Sequence, residues 1–211
     1  SGIAQIAATK GHEVCLYDSF NESLENSKNK LNKILNRLVE KERINNETKK
    51  QILSRIKFSS NVNDIQKSSL VIEAIIEDLS IKQKLFKEIE SIVDENCIIA
   101  TNTSSLSIAS IAGACERADR VIGIHFFNPA PLMPLVEIIP AVQTSIESIK
   151  NANRSKKDTG GETIRGMTGN DNPTRMGDTV PDTDRQRQWE QKTIADVIKG
   201  AILEVKKELG E

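Results

Sequence analysis

Along residues 1–146 the apolar positions switch repeatedly between helical and strand-like spacing. Ile3, Ile6 and Ala7 share one face of a helix expected over residues 1–10, which Gly11 ends. A short strand is expected at 13–17, closing on Asp18. Leu24, Leu31, Ile34, Leu35 and Leu38 then mark a long helix over 21–39, whose other faces are rich in lysine and arginine. Asn45 or Asn46 can cap a second helix ending near residue 56, which makes a helical hairpin.

From there the apolar runs shorten. A weak strand is expected at 57–60 and a strong one at 70–76, LVIEAII. Ser80 is placed to cap a helix running to residue 93, with Ile81, Leu85, Phe86, Ile89, Ile92 and Val93 as its buried stripe. Further strands fall at 97–101, 121–125 and 135–139. A short helix at 105–112 separates the first two. A turn containing Asn128-Pro129, Pro131 and Pro134 separates the last two. Strands alternating with helices predict an α/β fold with a doubly wound, mainly parallel sheet.

Beyond Lys150 the pattern changes. Glycine concentrates there, and residues 147–188 carry few large apolar side chains to offset the entropy of ordering, so they read as a polar, disordered linker. Ile194, Val197, Ile198, Ala201, Ile202, Val205 and Leu209 recover helical spacing, which predicts an amphipathic helix over 189–209. The expected organisation is a domain at 1–146, a linker and a terminal helix.

Composition changes this picture little. A hydrophobic content of 37% and an aromatic content of 3% fit a chain whose tail is unpacked. The formal net charge of −1 offers no attraction to nucleic acid or to an anionic membrane. Cys15, Cys97 and Cys115 lack metal-ligand spacing, so no metal is expected; they read as reduced core residues of a cytosolic protein.

Candidate chemistry gathers between Ala100 and Ile139. The NTSSL segment and the histidine at 125 each stand where an apolar strand stops, which is where open α/β sheets collect ligands. Glu137 lies inside an apolar strand and must find a partner, because an unpaired buried carboxylate is costly. His125 is the natural one. A carboxylate on one imidazole nitrogen fixes the tautomer and leaves the other free as a base. A structural histidine beside an edge-strand glutamate accounts for the same letters. Asp18 suits an acid that binds the adenosine ribose hydroxyls of a dinucleotide, or a solvated helix cap. No G-x-G-x-x-G occurs. Ser104 can stand beside a substrate hydroxyl, or with Asn102 cap the short helix. Asn128, Glu77 and Lys82 have equally plain readings as a turn residue, a strand-end acid and a surface charge.

Taken together, GIAQIAATKGHEVCLYD, LVIEAIIED, ATNTSSLSIASIA and GIHFFNPAPLMPLVEII closely resemble the NAD-binding domain of 3-hydroxyacyl-CoA dehydrogenases, including the 3-hydroxybutyryl-CoA enzymes, over about residues 1–146. The resemblance implies a Rossmann-type domain with a helical-hairpin insertion and NAD as cofactor. It implies that the family's first strand and glycine-rich turn would precede Ser1. It also implies that the tail is not the helical domain that builds much of the family's dimer interface. Site roles follow from the same resemblance. His125 matches the catalytic base, Glu137 the acid that orients it, and Ser104 a serine near the substrate oxygen and nicotinamide. Asp18, Glu77, Lys82 and Asn128 match cofactor contacts, and Lys41 a contact to coenzyme A. The implied reaction interconverts (3S)-3-hydroxyacyl-CoA and 3-oxoacyl-CoA, in fatty-acid or butanoate metabolism of a bacterial cytoplasm. A rival reading is a non-catalytic fragment that docks a partner through the terminal helix.

Overall fold

Three parallel strands with alternating faces form the centre of the molecule: β3 (Leu70–Glu73), β4 (Ile98–Thr101) and β5 (Val121–Phe126). The computed structural model describes residues 2–133, 135–153, 190–193 and 204–205. Leu70, Ile72, Ile98, Ala100, Ile122 and Ile124 pack on one side of the sheet. They meet α1 (Gly2–Thr9), the hairpin α2 (Asn21–Glu40) and α3 (Asn46–Ser54), and α6 (Ile146–Asn153). Val71, Ile99 and Val121 face the other way, onto α4 (Leu79–Ile92) and α5 (Ile108–Ala112). The period of two thus sorts strand residues between two helical layers. This is the expected doubly wound arrangement, with a Rossmann-type parallel sheet.

Two further strands, β1 (Val14–Tyr17) and β2 (Ile56–Ser59), pair parallel with each other. The sheet continues beyond β5 into antiparallel β6 (Leu135–Pro140). Gly11, at φ 95°, makes the left-handed turn that releases the chain from α1 into β1. Asn45 caps α3 by accepting from the Thr48 amide at 2.7 Å.

Several boundaries differ from the spacing. Asp78, not Ser80, caps α4: its Oδ1 accepts from the Ile81 amide at 3.0 Å, and the Ser80 hydroxyl donates to the same oxygen. A carboxylate is the stronger acceptor at a helix N-terminus. Likewise α5 begins at Ile108 and is capped by Ser107, because Thr103 holds the preceding residues in a turn through the Leu106 amide. β3 stops at Glu73 instead of reaching residue 76. Helix α6 extends into the expected linker. The Ser145 hydroxyl accepts from the Ser148 amide at 3.0 Å, and Ala152 is buried against the sheet. Residues 154–189 lie outside the described residues.

The helix expected at 189–209 is described only in two pieces, and both are extended. β7 (Glu190–Thr193) pairs antiparallel with β6, and β8 (Glu204–Val205) pairs parallel with β3. Open sheet edges offer ready backbone partners, which local helical spacing does not register. The rest of that range lies outside the described residues. Among the described residues, no helix is long and apolar enough to cross a membrane.

All three cysteines are free and buried. Burial pushes the Cys97 thiol up to about 12. Burial, with nearby acidic charge, takes Cys15 and Cys115 to about 11. The thiolate is the reactive form. Native chain at neutral pH should therefore react slowly with an aromatic disulfide reagent, and all three thiols should titrate only after unfolding in urea. Rapid modification of the native chain would contradict this burial.

Candidate active site

Parallel neighbours bring the carboxyl ends of β3, β4 and β5 side by side, so the loops that follow them converge. His125 is the penultimate residue of β5. In the antiparallel register with β6 it stands directly opposite Glu137. Opposite residues of such a pair project from the same face. The imidazole Nδ1 accordingly donates to Glu137 Oε2 at 2.8 Å. The two side chains retain 18% and 23% of their exposure, so the pair is part-buried rather than sealed off. The Phe127 ring packs on the imidazole with centroids 5.0 Å apart.

Two features hold this strand end. Asn102 Oδ1 accepts from the Phe126 amide at 2.8 Å, tying the loop after β4 to the residue next to His125. Asn102 therefore spans two strands and does not cap the short helix. Gly123 permits a close approach: a Cβ there would lie 2.9 Å from both Ile108 Cδ1 and Ile139 Cβ. Only glycine lets α5 and β6 close on the strand that carries the histidine.

The second cluster is built around Glu77. Its Oε1 collects the Thr103 hydroxyl, the Ser104 amide at 3.2 Å, the Ser105 amide at 3.3 Å and the Ser105 hydroxyl at 3.1 Å. Its Oε2 faces the Lys82 ammonium at 3.4 Å. Lys82 is fully enclosed and bonds Glu73 at 2.6 Å, so it reaches a ligand only through Glu77. Glu73 is a site element that the sequence reading missed. Its signal was present, since it is an acid in an apolar strand just as Glu137 is.

A cleft of about 590 Å³ opens beside these loops, lined by Gly2, Gln5, Lys30, Ile34, Asn102 and Asn128 among others. Phe126 and Phe127, the neighbours of His125, also line it. The Asn128-Pro129 peptide is cis. Gln5 Oε1 is buried there with no hydrogen-bond partner among the described residues. Asp18 ends β1 almost fully buried, and its Oδ1 accepts from the Phe20 amide at 2.9 Å. Ser104 is exposed on its loop. Lys41, which caps the end of α2, is exposed and outside the lining of the cleft; Lys30 and Ile34 occupy the wall nearest to it in sequence. Among the described residues, no group of three or more His, Cys, Asp and Glu could hold a metal ion.

Burial would raise the Glu77 carboxyl. The Thr103 hydroxyl, the Lys82 charge and the bonds from Ser105 outweigh it and hold the carboxyl below its ordinary 4.5. A folded value below the unfolded one gives stabilisation that is complete above the unfolded value and lost as pH falls through the folded value. Urea unfolding between about pH 6 and 3 should therefore lose less stability in Glu77→Gln than in the parent, on the acid side only. Parallel curves for the two proteins would contradict this.

Residues 1–167 match the family model described as "3-hydroxyacyl-CoA dehydrogenase, NAD binding domain". A 3-hydroxybutyryl-CoA dehydrogenase of Clostridioides difficile is 44% identical over 145 residues, covering 69% of this chain and 52% of the relative. The human mitochondrial hydroxyacyl-coenzyme A dehydrogenase is 41% identical over 157 residues, covering 72% of this chain and 50% of the relative. The crystal structure of (S)-3-hydroxybutyryl-CoA dehydrogenase from Ralstonia eutropha superposes with a TM-score of 0.68 at 43% identity, covering 70% of this chain and 52% of that one. The chain thus spans about half the length of these relatives. With the sheet and the matched residues in agreement, the chain belongs to the NAD-binding domain family of the 3-hydroxyacyl-CoA dehydrogenases.

Proposed function

We propose that this domain binds NAD and transfers the proton in the interconversion of (3S)-3-hydroxyacyl-CoA and 3-oxoacyl-CoA. The observation that carries the reading is the His125–Glu137 pair, seated at a strand end beside an open cleft. A carboxylate only accepts, so Nδ1 keeps its proton and Nε2 is the nitrogen that works. In the oxidising direction the neutral imidazole takes the proton of the 3-hydroxyl. In the reducing direction the imidazolium returns it to the developing alkoxide, and Glu137 stabilises the cation.

The donor set fits a dinucleotide. Asp18 suits the ribose hydroxyls at the end of β1, while Asn128, Ser104 and Glu77 suit the nicotinamide end. The orphaned Gln5 carbonyl in the cleft is one further acceptor for a bound polar group. When bound, NAD supplies the hydride chemistry. Ser104, exposed near the strand ends, suits the substrate oxygen. Lys41 meets coenzyme A phosphate outside the cleft.

Mixing the full chain with NADH and acetoacetyl-CoA tests the reading. The expected result is loss of NADH absorbance that depends on both substrates. Failure of the chain either to bind NADH or to consume it would refute the assignment.

A further inference from the structure

We infer that Glu73 and Lys82 form a buried positioning pair that sets the carboxylate of Glu77 and, through it, the loop that carries Ser104. This rests on the reading above for its catalytic meaning, and on the side-chain geometry alone for its structural meaning. Glu73 and Lys82 are both wholly enclosed. Glu73 Oε1 accepts from the Lys82 ammonium at 2.6 Å and from the Ile75 amide at 2.6 Å, and its Oε2 accepts from the Thr101 hydroxyl at 2.8 Å. One acid is therefore fixed to β4, to the turn after β3 and to α4 at once.

The second arm of Lys82 points at Glu77. Stability alone would require one carboxylate for one ammonium. Here the ammonium also faces Glu77, which is 37% exposed. Glu77 then gathers the amides of Ser104 and Ser105 on a single oxygen. Without Lys82, Glu77 keeps the Thr103 and Ser105 hydroxyls on Oε1 but loses the cation that fixes Oε2, so the carboxylate can swing and loosen its hold on the two amides. A buried pair behind an exposed acid converts a mobile carboxylate into a fixed one. That is preorganisation in the sense that matters for a cofactor pocket.

The paired variant Glu73→Gln with Lys82→Met removes both charges together, so it avoids leaving either one buried alone. The carboxamide introduced by Glu73→Gln retains an acceptor for the Ile75 amide. The full chain carrying both changes should fold, with circular dichroism like the parent's. Amide hydrogen exchange without cofactor should then quicken at Ser104 and Ser105 by about tenfold or more, the equivalent of one lost charge-assisted bond, while Ile99 and Ile122 keep their protection. The affinity for NADH should weaken by a similar factor. A purely structural pair predicts the opposite: a folded paired variant whose Ser104 and Ser105 exchange and NADH affinity match the parent, which would overturn the inference. The two readings fail separately. A parent without NADH-dependent turnover sinks the dehydrogenase assignment, whereas exchange at Ser104 and Ser105 still decides the positioning pair.

Discussion

His125→Ala should lower turnover of acetoacetyl-CoA roughly 10²- to 10⁴-fold, the contribution of a well-placed general acid, and leave NADH affinity close to the parent's. The two outcomes separate because His125 is not among the residues that line the cleft, whereas its neighbours Phe126 and Phe127 are. Its bond at Nδ1 goes to Glu137, and its ring face goes to Phe127. On the proposed function, removing it takes away the group that gives and receives the proton at the 3-oxygen. Water then has to serve, without orientation. Glu137→Gln keeps a hydrogen-bond acceptor opposite the ring but removes the charge that favours the imidazolium. Its loss in kcat should be substantial but smaller than that of His125→Ala. Steady-state kinetics decide the matter. Turnover in His125→Ala equal to the parent's would remove this residue from the chemistry, whatever the likeness to known dehydrogenases.

Much of the fold was legible because burial imposes a period. Val71 faces one helical layer and Leu70 with Ile72 the other, and because both faces are buried β3 and β4 show in the sequence as short continuous apolar runs. Leu24, Leu31 and Leu35 likewise gave α2 its buried face. The His125–Glu137 pair was legible for a second reason: an acid in an apolar strand requires an answering group, and only one histidine stood nearby. The same logic applied to Glu73, yet it was overlooked within LVIE. Its partner Lys82 lies on a helix whose lysines all look solvated in sequence, and nothing in spacing distinguishes the one that turns inward. Caps were the other weak point. Asp78 and Ser80 both satisfy the pattern at the start of α4, and only the geometry selects the carboxylate. Helix α6 escaped notice because the change of composition after it drew the boundary too early. The described pieces of the tail pair with distant sheet edges, a long-range preference that a local window does not contain.

The largest effect on stability should come from Lys82→Met alone. The substitution leaves Glu73 wholly enclosed with its charge and without its cation, a situation that typically costs about 3–5 kcal/mol. Two neutral donors, the Ile75 amide and the Thr101 hydroxyl, remain on Glu73 and soften the penalty without cancelling it. The methionine is of similar length and apolar, so the loss is electrostatic and not a cavity. Urea unfolding at neutral pH should show a midpoint far below the parent's with a similar slope. Adding Glu73→Gln to Lys82→Met should recover most of that loss, because neither charge is then stranded. The coupling between the two changes is therefore large and favourable. If the two losses merely add, the ammonium and the carboxylate do not depend on each other, and the buried pair is not what fastens α4 to the end of β3.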